Sequence, residues 1–346
     1  MVEPSAARVL WLRLAVSSVL GGALLWVVWP LMAAVPADPA IAPRVLLGFA
    51  LALVPYHGLR ALRWWFLLRR LGEVSWRSAV AIGLAGYLWI AVLPLRLGEL
   101  ARPLMVAQRH GIAVGRTLAV VAVERIADGF VVAALFFATA PVGVGLADDG
   151  DALAARVELA AMISTALFAM VLSGLVVLAR WPRLWRRLSS PLRRGRAVAP
   201  LDRIDGLLAQ IGEGFAALSG PRAWPGFVLT TLAYWATNVA ALWWLAGGCG
   251  LPLSLQEAAL VTAVMNLALA LPGGPAQMGV FQGGIAVGLL LVASRALVHD
   301  RGSVLAFWLY AGQLGSIVAV GLLAQRSTGV SIASLWRARP PQQGST

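Results

Sequence analysis

The stretch Leu93-Pro94-Leu95-Arg96-Leu97-Gly98-Glu99-Leu100-Ala101-Arg102 interrupts an apolar run with a proline, a glycine and three charges. Proline lacks the amide hydrogen that continues a helix, and its ring clashes with the preceding turn. The apolar run 78–93 therefore ends there. The next stretch, 96–115 (RLGELARPLMVAQRHGIAVG), is too polar to face lipid as a second span. The charges of the other loops decide what this means. Arginines cluster at 8–13 (two), 60–77 (five), 180–222 (nine) and 326–339 (three). The stretch 141–156 holds Asp148, Asp149 and Asp151 against one arginine, and 247–256 carries no charge. Basic loops belong in the cytoplasm, which puts both termini and 180–222 inside, and 141–156 and 247–256 outside. If 78–95 crossed the membrane, every later loop would invert and the nine-arginine stretch would be external. The consistent reading is a re-entrant hairpin. Residues 78–93 enter from the cytoplasm, break at Leu93-Pro94, and 97–109 return to the same side. Irregular backbone at that depth is tolerated where protein or a wet cavity covers it.

Composition supports the membrane setting. Of 346 residues, 60% are hydrophobic and 12% charged, about half the ~25% charge of a soluble domain; mean hydropathy is +0.81. These values exclude a water-soluble enzyme. All 28 basic residues are arginine, and net charge is +13. Because the arginines sit mainly at the ends of apolar runs, they read as topology signals and contacts to anionic head groups, not as a nucleic-acid surface. One cysteine, Cys249, and three dispersed histidines (His57, His110, His299) predict neither a disulfide nor a metal site. No P-loop is present, and no cofactor is expected. The first apolar run is too long for a cleavable leader, and Trp26, Trp29 and Pro30 leave no small-residue cleavage site.

The expected fold is an all-α polytopic membrane protein, one membrane domain over 1–346. It has six spans plus two re-entrant broken-helix hairpins in an inverted repeat. The first half, 13–140, comprises TM1 (13–35), TM2 (44–68), hairpin A (78–109) and TM3 (116–140). The second, 157–325, comprises TM4 (157–179), TM5 (224–247), hairpin B (257–294) and TM6 (303–325). Hairpin B breaks at Leu271-Pro272-Gly273-Gly274-Pro275. Its first arm, about 15 residues or roughly 22 Å of helix, falls short of the ~30 Å hydrocarbon core. Inverted repeats with paired broken helices point to a midplane substrate site with alternating access. Between the halves, 180–222 reads as a cytoplasmic basic linker. Its Arg183, Arg186, Arg187, Arg193, Arg194 and Arg196, with Trp181 and Trp185, suit the membrane surface. The tail 326–346, ending Pro340-Pro341-Gln342-Gln343-Gly344, reads as disordered.

Chemistry concentrates in hairpin A and TM3. On a return helix Glu99 lies three residues from Arg96 and from Arg102, while Glu124 and Asp128 are i,i+4 neighbours and Arg125 reaches Asp128 at i+3. Ionised groups at membrane depth are costly and persist when paired or facing water. Arg96, Glu99, Arg102, Glu124, Arg125 and Asp128 are thus expected to form one network. Arg96, Arg102 and Arg125 would bind a lipid phosphate through their planar forks, and the carboxylates would hold those arginines in place. Pro94, Gly98, Pro272, Gly273, Gly274 and Pro275 are the expected hinges. Asn266, Gln277, Gln282, Tyr234, Asn238, Tyr310 and Gln313 are candidates for a polar cavity, each also able to serve as an interhelical hydrogen bond.

Three of these stretches carry a resemblance. Arg60-Ala61-Leu62-Arg63-Trp64-Trp65, the interrupted motif of residues 93–102, and Val123-Glu124-Arg125-Ile126-Ala127-Asp128 together resemble the lysylphosphatidylglycerol synthase transmembrane family, also called flippase-like domain proteins. Pro272-Gly273-Gly274-Pro275-Ala276-Gln277-Met278-Gly279-Val280-Phe281-Gln282 is similar to that family's second-half pattern, with Ala276 where relatives often have glycine and Gln282 where glutamate is common. The polar Asn expected before Pro94 is replaced by Trp89, Ile90 and Ala91. The resemblance covers nearly the whole chain and implies a domain that moves lipids between leaflets. It does not imply lysyl transfer, which in the synthases belongs to a separate soluble domain.

The leading expectation is therefore a lipid translocase of the cell membrane, flippase- or scramblase-like, carrying an anionic phospholipid or a polyprenyl-phosphate-linked glycolipid. Two alternatives are a membrane glycosyltransferase-like enzyme using Glu99, Glu124 or Asp128 as base, and a lipid-binding partner of a lipid-modifying enzyme. A homo-oligomer is compatible with either.

Overall fold

The structure is a computed structural model that describes residues 6–33, 35–93, 98–143, 150–192, 198–220, 224–271 and 273–329. Pro94, Arg96 and Pro272, and the tail from residue 330 onward, lie outside the described residues.

Among the described residues all regular structure is helical. The helices are α1 Ala6–Val28, α2 Pro43–Leu68, α3 Trp76–Val92, α4 Ala101–His110, α5 Val114–Gly143, α6 Gly150–Arg180, α7 Pro182–Ser189, α8 Val198–Leu218, α9 Trp224–Gly248, α10 Leu255–Ala268, α11 Val280–Leu290, the short α12 Arg295–Leu297 and α13 Ser303–Thr328. Local chemistry sets several ends. Pro43 opens α2, where a missing amide hydrogen costs nothing. Ser75 caps α3 through the Ser78 amide, and Ser254 with Glu257 forms a capping box on α10. Gly111, at φ 66°, closes α4.

Pro43–Leu68 and the continuous stretch Arg295–Thr328 are long and apolar enough to cross a membrane. Their outer faces are apolar as well: Leu47, Leu51 and Val54 on α2, Leu229 and Leu232 on α9, and Leu322 and Leu323 on α13 are all exposed. Water tolerates no apolar belt of that size on a monomer; lipid does. The chain is a helical membrane protein.

Helices α2 and α9 form the central pair and run antiparallel. Gly48 lies against Trp244, Gly248 against Val45 and Gly226 against Phe66, and the Trp244 indole donates to the Val45 carbonyl at 3.1 Å. Small residues here let the backbones approach. Helices α3 and α4 flank the first break, α10 and α11 the second. α10 and α11 pack antiparallel, with Gly284 on Met265 and Gly288 on Val261. The two interrupted pairs cross over between halves: α3 packs on α13, and α10 packs on α5.

The stretch 180–222 differs from the expected linker. It folds into α7 and α8, and α8 packs on α5 and α6. Leu201, Leu208, Ile211 and Leu218 are buried at helical spacing. Gly214 fits against Ala119 and the Arg116 backbone, and Gln210 accepts the Gly115 amide at 3.0 Å. Charge masks this apolar stripe, because the nine arginines dominate the reading of that segment. Residues 326–328 likewise continue α13 instead of beginning a tail.

Candidate functional site: an arginine–carboxylate chain beside a cavity

Helix α5 places Glu124 and Asp128 one turn apart on one face. Glu124 is fully buried and accepts from Arg102 Nη1 of α4 at 2.8 Å. Its other oxygen lies 3.6 Å from Arg63 Nε of α2. Arg63 then forks onto Asp128, with Nη1–Oδ1 at 2.5 Å and Nη2–Oδ2 at 2.8 Å. Trp235 Nε1 of α9 donates to the same Oδ1 at 3.2 Å, and Arg125 Nη2 stands 3.6 Å from Oδ2. The result is one continuous chain, Arg102–Glu124–Arg63–Asp128–Arg125, tying α4, α5 and α2 together and touching α9. Arg102 also stacks on Trp64 at 4.5 Å. Gly86 makes room for it, since a Cβ there would lie 2.1 Å from Arg102 Cγ. Gly98 is required for a similar reason: its Cβ would meet the Trp89 carbonyl oxygen at 2.1 Å.

The second break is shaped by its backbone. A short 3-10 turn, Pro275–Gln277, contains Ala276 at φ 53° and Gln277 at φ 63°, and Gly279 comes next at φ 86°. Side chains with a Cβ occupy the left-handed region at a cost of roughly 1–2 kcal/mol per residue. Ala276 is one of these strained positions. Helix α1 braces the turn: Ser17 Oγ donates to the Gly273 carbonyl at 3.2 Å, and a Cβ on Gly21 would lie 2.7 Å from Gly274 Cα.

Residues that flank the first break (Ile90, Ala91, Glu99) and residues of the second (Ala276, Gln277) line one cavity of ≈ 710 Å³. Its charged side is Arg60, Glu99, Arg125 and Asp128; its amide and hydroxyl side includes Asn266, Gln277, Gln313, Tyr234 and Tyr310. The remaining wall is largely apolar, from Phe130 and Val132 on α5 to Val176 and Val177 on α6 and Trp181 at its end.

The sequence candidates thus divide. Glu99, Arg125, Asp128, Asn266, Gln277, Tyr234, Tyr310 and Gln313 line the cavity. Arg102 and Glu124 are sealed behind it with no exposed surface, so Arg102 serves the carboxylate and the rings around it. Gln282 turns back to accept the Gly279 amide at 2.9 Å and caps α11. Asn238 is buried on α9 away from the cavity lining. Gly273, Gly274 and Pro275 build the second break, while Pro94, Arg96 and Pro272 fall outside the described residues. Sequence reasoning misses Arg60, Tyr56 and Tyr87 in the cavity wall and Arg63 in the charge chain. A signal for two of them exists: Arg60 and Arg63 are spaced i,i+3 inside an apolar run, but they merge with the loop arginines directly after them.

The family model described as the lysylphosphatidylglycerol synthase TM region matches residues 10–298. That interval contains the charge chain and both breaks. Neither a curated protein nor a solved structure matches the chain.

Proposed function

The chain belongs to the lysylphosphatidylglycerol synthase transmembrane family, and from that membership and the cavity we propose that it moves a phosphate-bearing lipid between the leaflets of the cell membrane. The observation that carries this reading is the shared cavity: residues of both interrupted helix pairs line a single space that holds charged, amide and hydroxyl groups together with many apolar side chains. The polar groups suit a head group and the apolar ones acyl chains. Among the described residues Arg125 and Arg60 are the arginines that line it, and the carboxylates Glu99 and Asp128 line it as well. A translocase suits this site better than a hydrolytic or transferase centre. Asp128 is forked onto Arg63 and Glu124 is held between two guanidiniums, and a carboxylate so engaged is a poor general base.

On this reading the two interrupted pairs are re-entrant hairpins. α10 and α11, of 14 and 11 residues, reach roughly 21 and 16 Å at 1.5 Å per residue, short of the ~30 Å core. The exchange of partners, α3 on α13 and α10 on α5, supports an inverted repeat. The test is reconstitution in liposomes with labelled lipids and no ATP, tracking loss of signal from the inner leaflet. Wild type should transport a phosphate lipid. Arg125→Ala should lower the rate at least tenfold while the protein stays monodisperse, because its pairing with Asp128 at 3.6 Å is loose. A wild-type rate equal to that of empty liposomes would sink the proposal.

Orientation is checked separately. In a Cys249→Ala background, a cysteine at exposed Arg203 should label from the cytoplasmic side and one at exposed Leu255 from outside. In the wild-type chain Cys249 should itself label slowly, since burial pushes its thiol up to about 12 and the thiolate is the reactive form. Labelling of both positions from one side would overturn the topology.

A further inference from the structure

We propose that Arg60 is the residue that grips the lipid phosphate, and that the site prefers head groups with a net negative charge, such as a phosphodiester with no amine, over net-neutral ones. The inference rests on the lipid-translocase reading and assigns its specificity. Arg60 sits in the cavity wall with its guanidinium carbon 3.6 Å from the centroid of the Tyr87 ring. Tyr87 is itself anchored, donating its hydroxyl to the Arg60 carbonyl at 3.3 Å. Stacking occupies one face of the guanidinium and leaves its in-plane N–H groups for an acceptor.

No described residue supplies that acceptor. Among the described residues no carboxylate lies within ion-pair reach of Arg60, and its buried Nε makes no hydrogen bond. The neighbouring arginines are engaged: Arg102 with Glu124, Arg63 with Asp128 and Glu124, Arg125 with Asp128. Of these four guanidiniums, Arg60 is the one with no carboxylate partner among the described residues, and it lies in the cavity lining. A cation at membrane depth calls for a counter-charge, and a planar fork on a fixed ring suits phosphate oxygens. Tyr56 and Tyr234, whose hydroxyls lie 3.4 Å apart and which line the same cavity, add neutral donors.

The test is competition binding to the full chain in detergent, read by native mass spectrometry. The probes are phosphatidylglycerol, phosphatidylcholine with the same acyl chains, and inorganic phosphate. Wild type should prefer phosphatidylglycerol by roughly tenfold, the scale of one charge-assisted hydrogen bond. Arg60→Gln should bring the preference close to unity. Arg60→Lys, which keeps the charge but not the fork, should retain part of it and keeps the test alive if the glutamine variant does not fold. A full wild-type preference retained in either folded variant overturns the assignment, as does a wild type that shows none. Displacement of phosphatidylglycerol by millimolar inorganic phosphate would overturn the lipid as the source of the phosphate. Binding is measured without transport. A wild type that binds selectively but fails in liposomes would therefore sink the translocase reading and leave Arg60 assigned.

Discussion

Glu124→Ala is expected to leave no stable protein to purify from detergent. The carboxylate has no exposed surface and is the link between Arg102 and Arg63, which are equally buried. Its removal leaves the Arg102 guanidinium with ring faces and a 3.5 Å hydrogen bond to the Tyr87 hydroxyl, without a counter-charge, and takes one of two partners from Arg63. Breaking one side of a buried pair costs about 3–5 kcal/mol, a large share of a typical stability margin of ~5–15 kcal/mol. Glu124→Gln should be milder, since the amide still accepts one hydrogen bond. Replacing the pair together, Arg102→Met with Glu124→Leu, should recover folding, because an apolar substitute of similar volume strands no charge and Arg63 keeps Asp128. Size-exclusion profiles and thermal midpoints in one detergent decide the matter. A monodisperse Glu124→Ala protein melting like wild type would show that the chain of charges does not hold the helices together.

Gly279→Ala should be the most damaging single methyl in the second half. Gly279 has φ 86°, a region that L side chains rarely enter, and its Cβ would lie 2.6 Å from Leu24 Cβ and 2.8 Å from the Gly21 carbonyl oxygen. Strain and overpacking act together, for roughly 2–4 kcal/mol, and α1 is forced off the turn it braces. Gly22→Ala is the control one residue along from Gly21. Nothing lies within 4 Å of its Cβ, and alanine favours a helix over glycine by about 1 kcal/mol. Equal thermal shifts in the two variants would remove the packing argument for α1.

Much of the architecture is legible in the residues. Pro94 and the Pro272–Pro275 cluster mark both interruptions, and the Glu124/Asp128 spacing puts two carboxylates on one helix face. The partners of those carboxylates are harder to read. Arg125 is close to Asp128 in sequence, yet the stronger fork comes from Arg63, on a helix 65 residues away; only three-dimensional packing brings it there. Swapping Arg125 and Asp128 therefore does not conserve the network, because it sets an arginine against Arg63. Arg60 and Arg63 are obscured by Arg69 and Arg70 in the turn after α2 and Arg77 at the start of α3, which share their sign. Gln282 has the chemistry of a cavity group and serves its own helix instead, an outcome that turns on the positive φ of Gly279. The apolar stripe of α8 is hidden by the basic charge around it.

At the other end of the molecule, Arg109 of α4 donates to the Ser327 carbonyl at 2.7 Å and to that of Thr328. His110 Nε2 and Ser78 Oγ are 2.7 Å apart, and the Trp89 indole donates to Gln325 at 3.0 Å. Both ends of α3, the end of α4 and the end of α13 are thus tied together, just as α1 is seated on the second break. Neither interrupted pair can swing as a free flap. Any displacement of α3 and α4 drags the end of α13 with it, so the levers of this molecule are whole spans, and a distance probe placed on the last turn of α13 reports the position of α3 and α4.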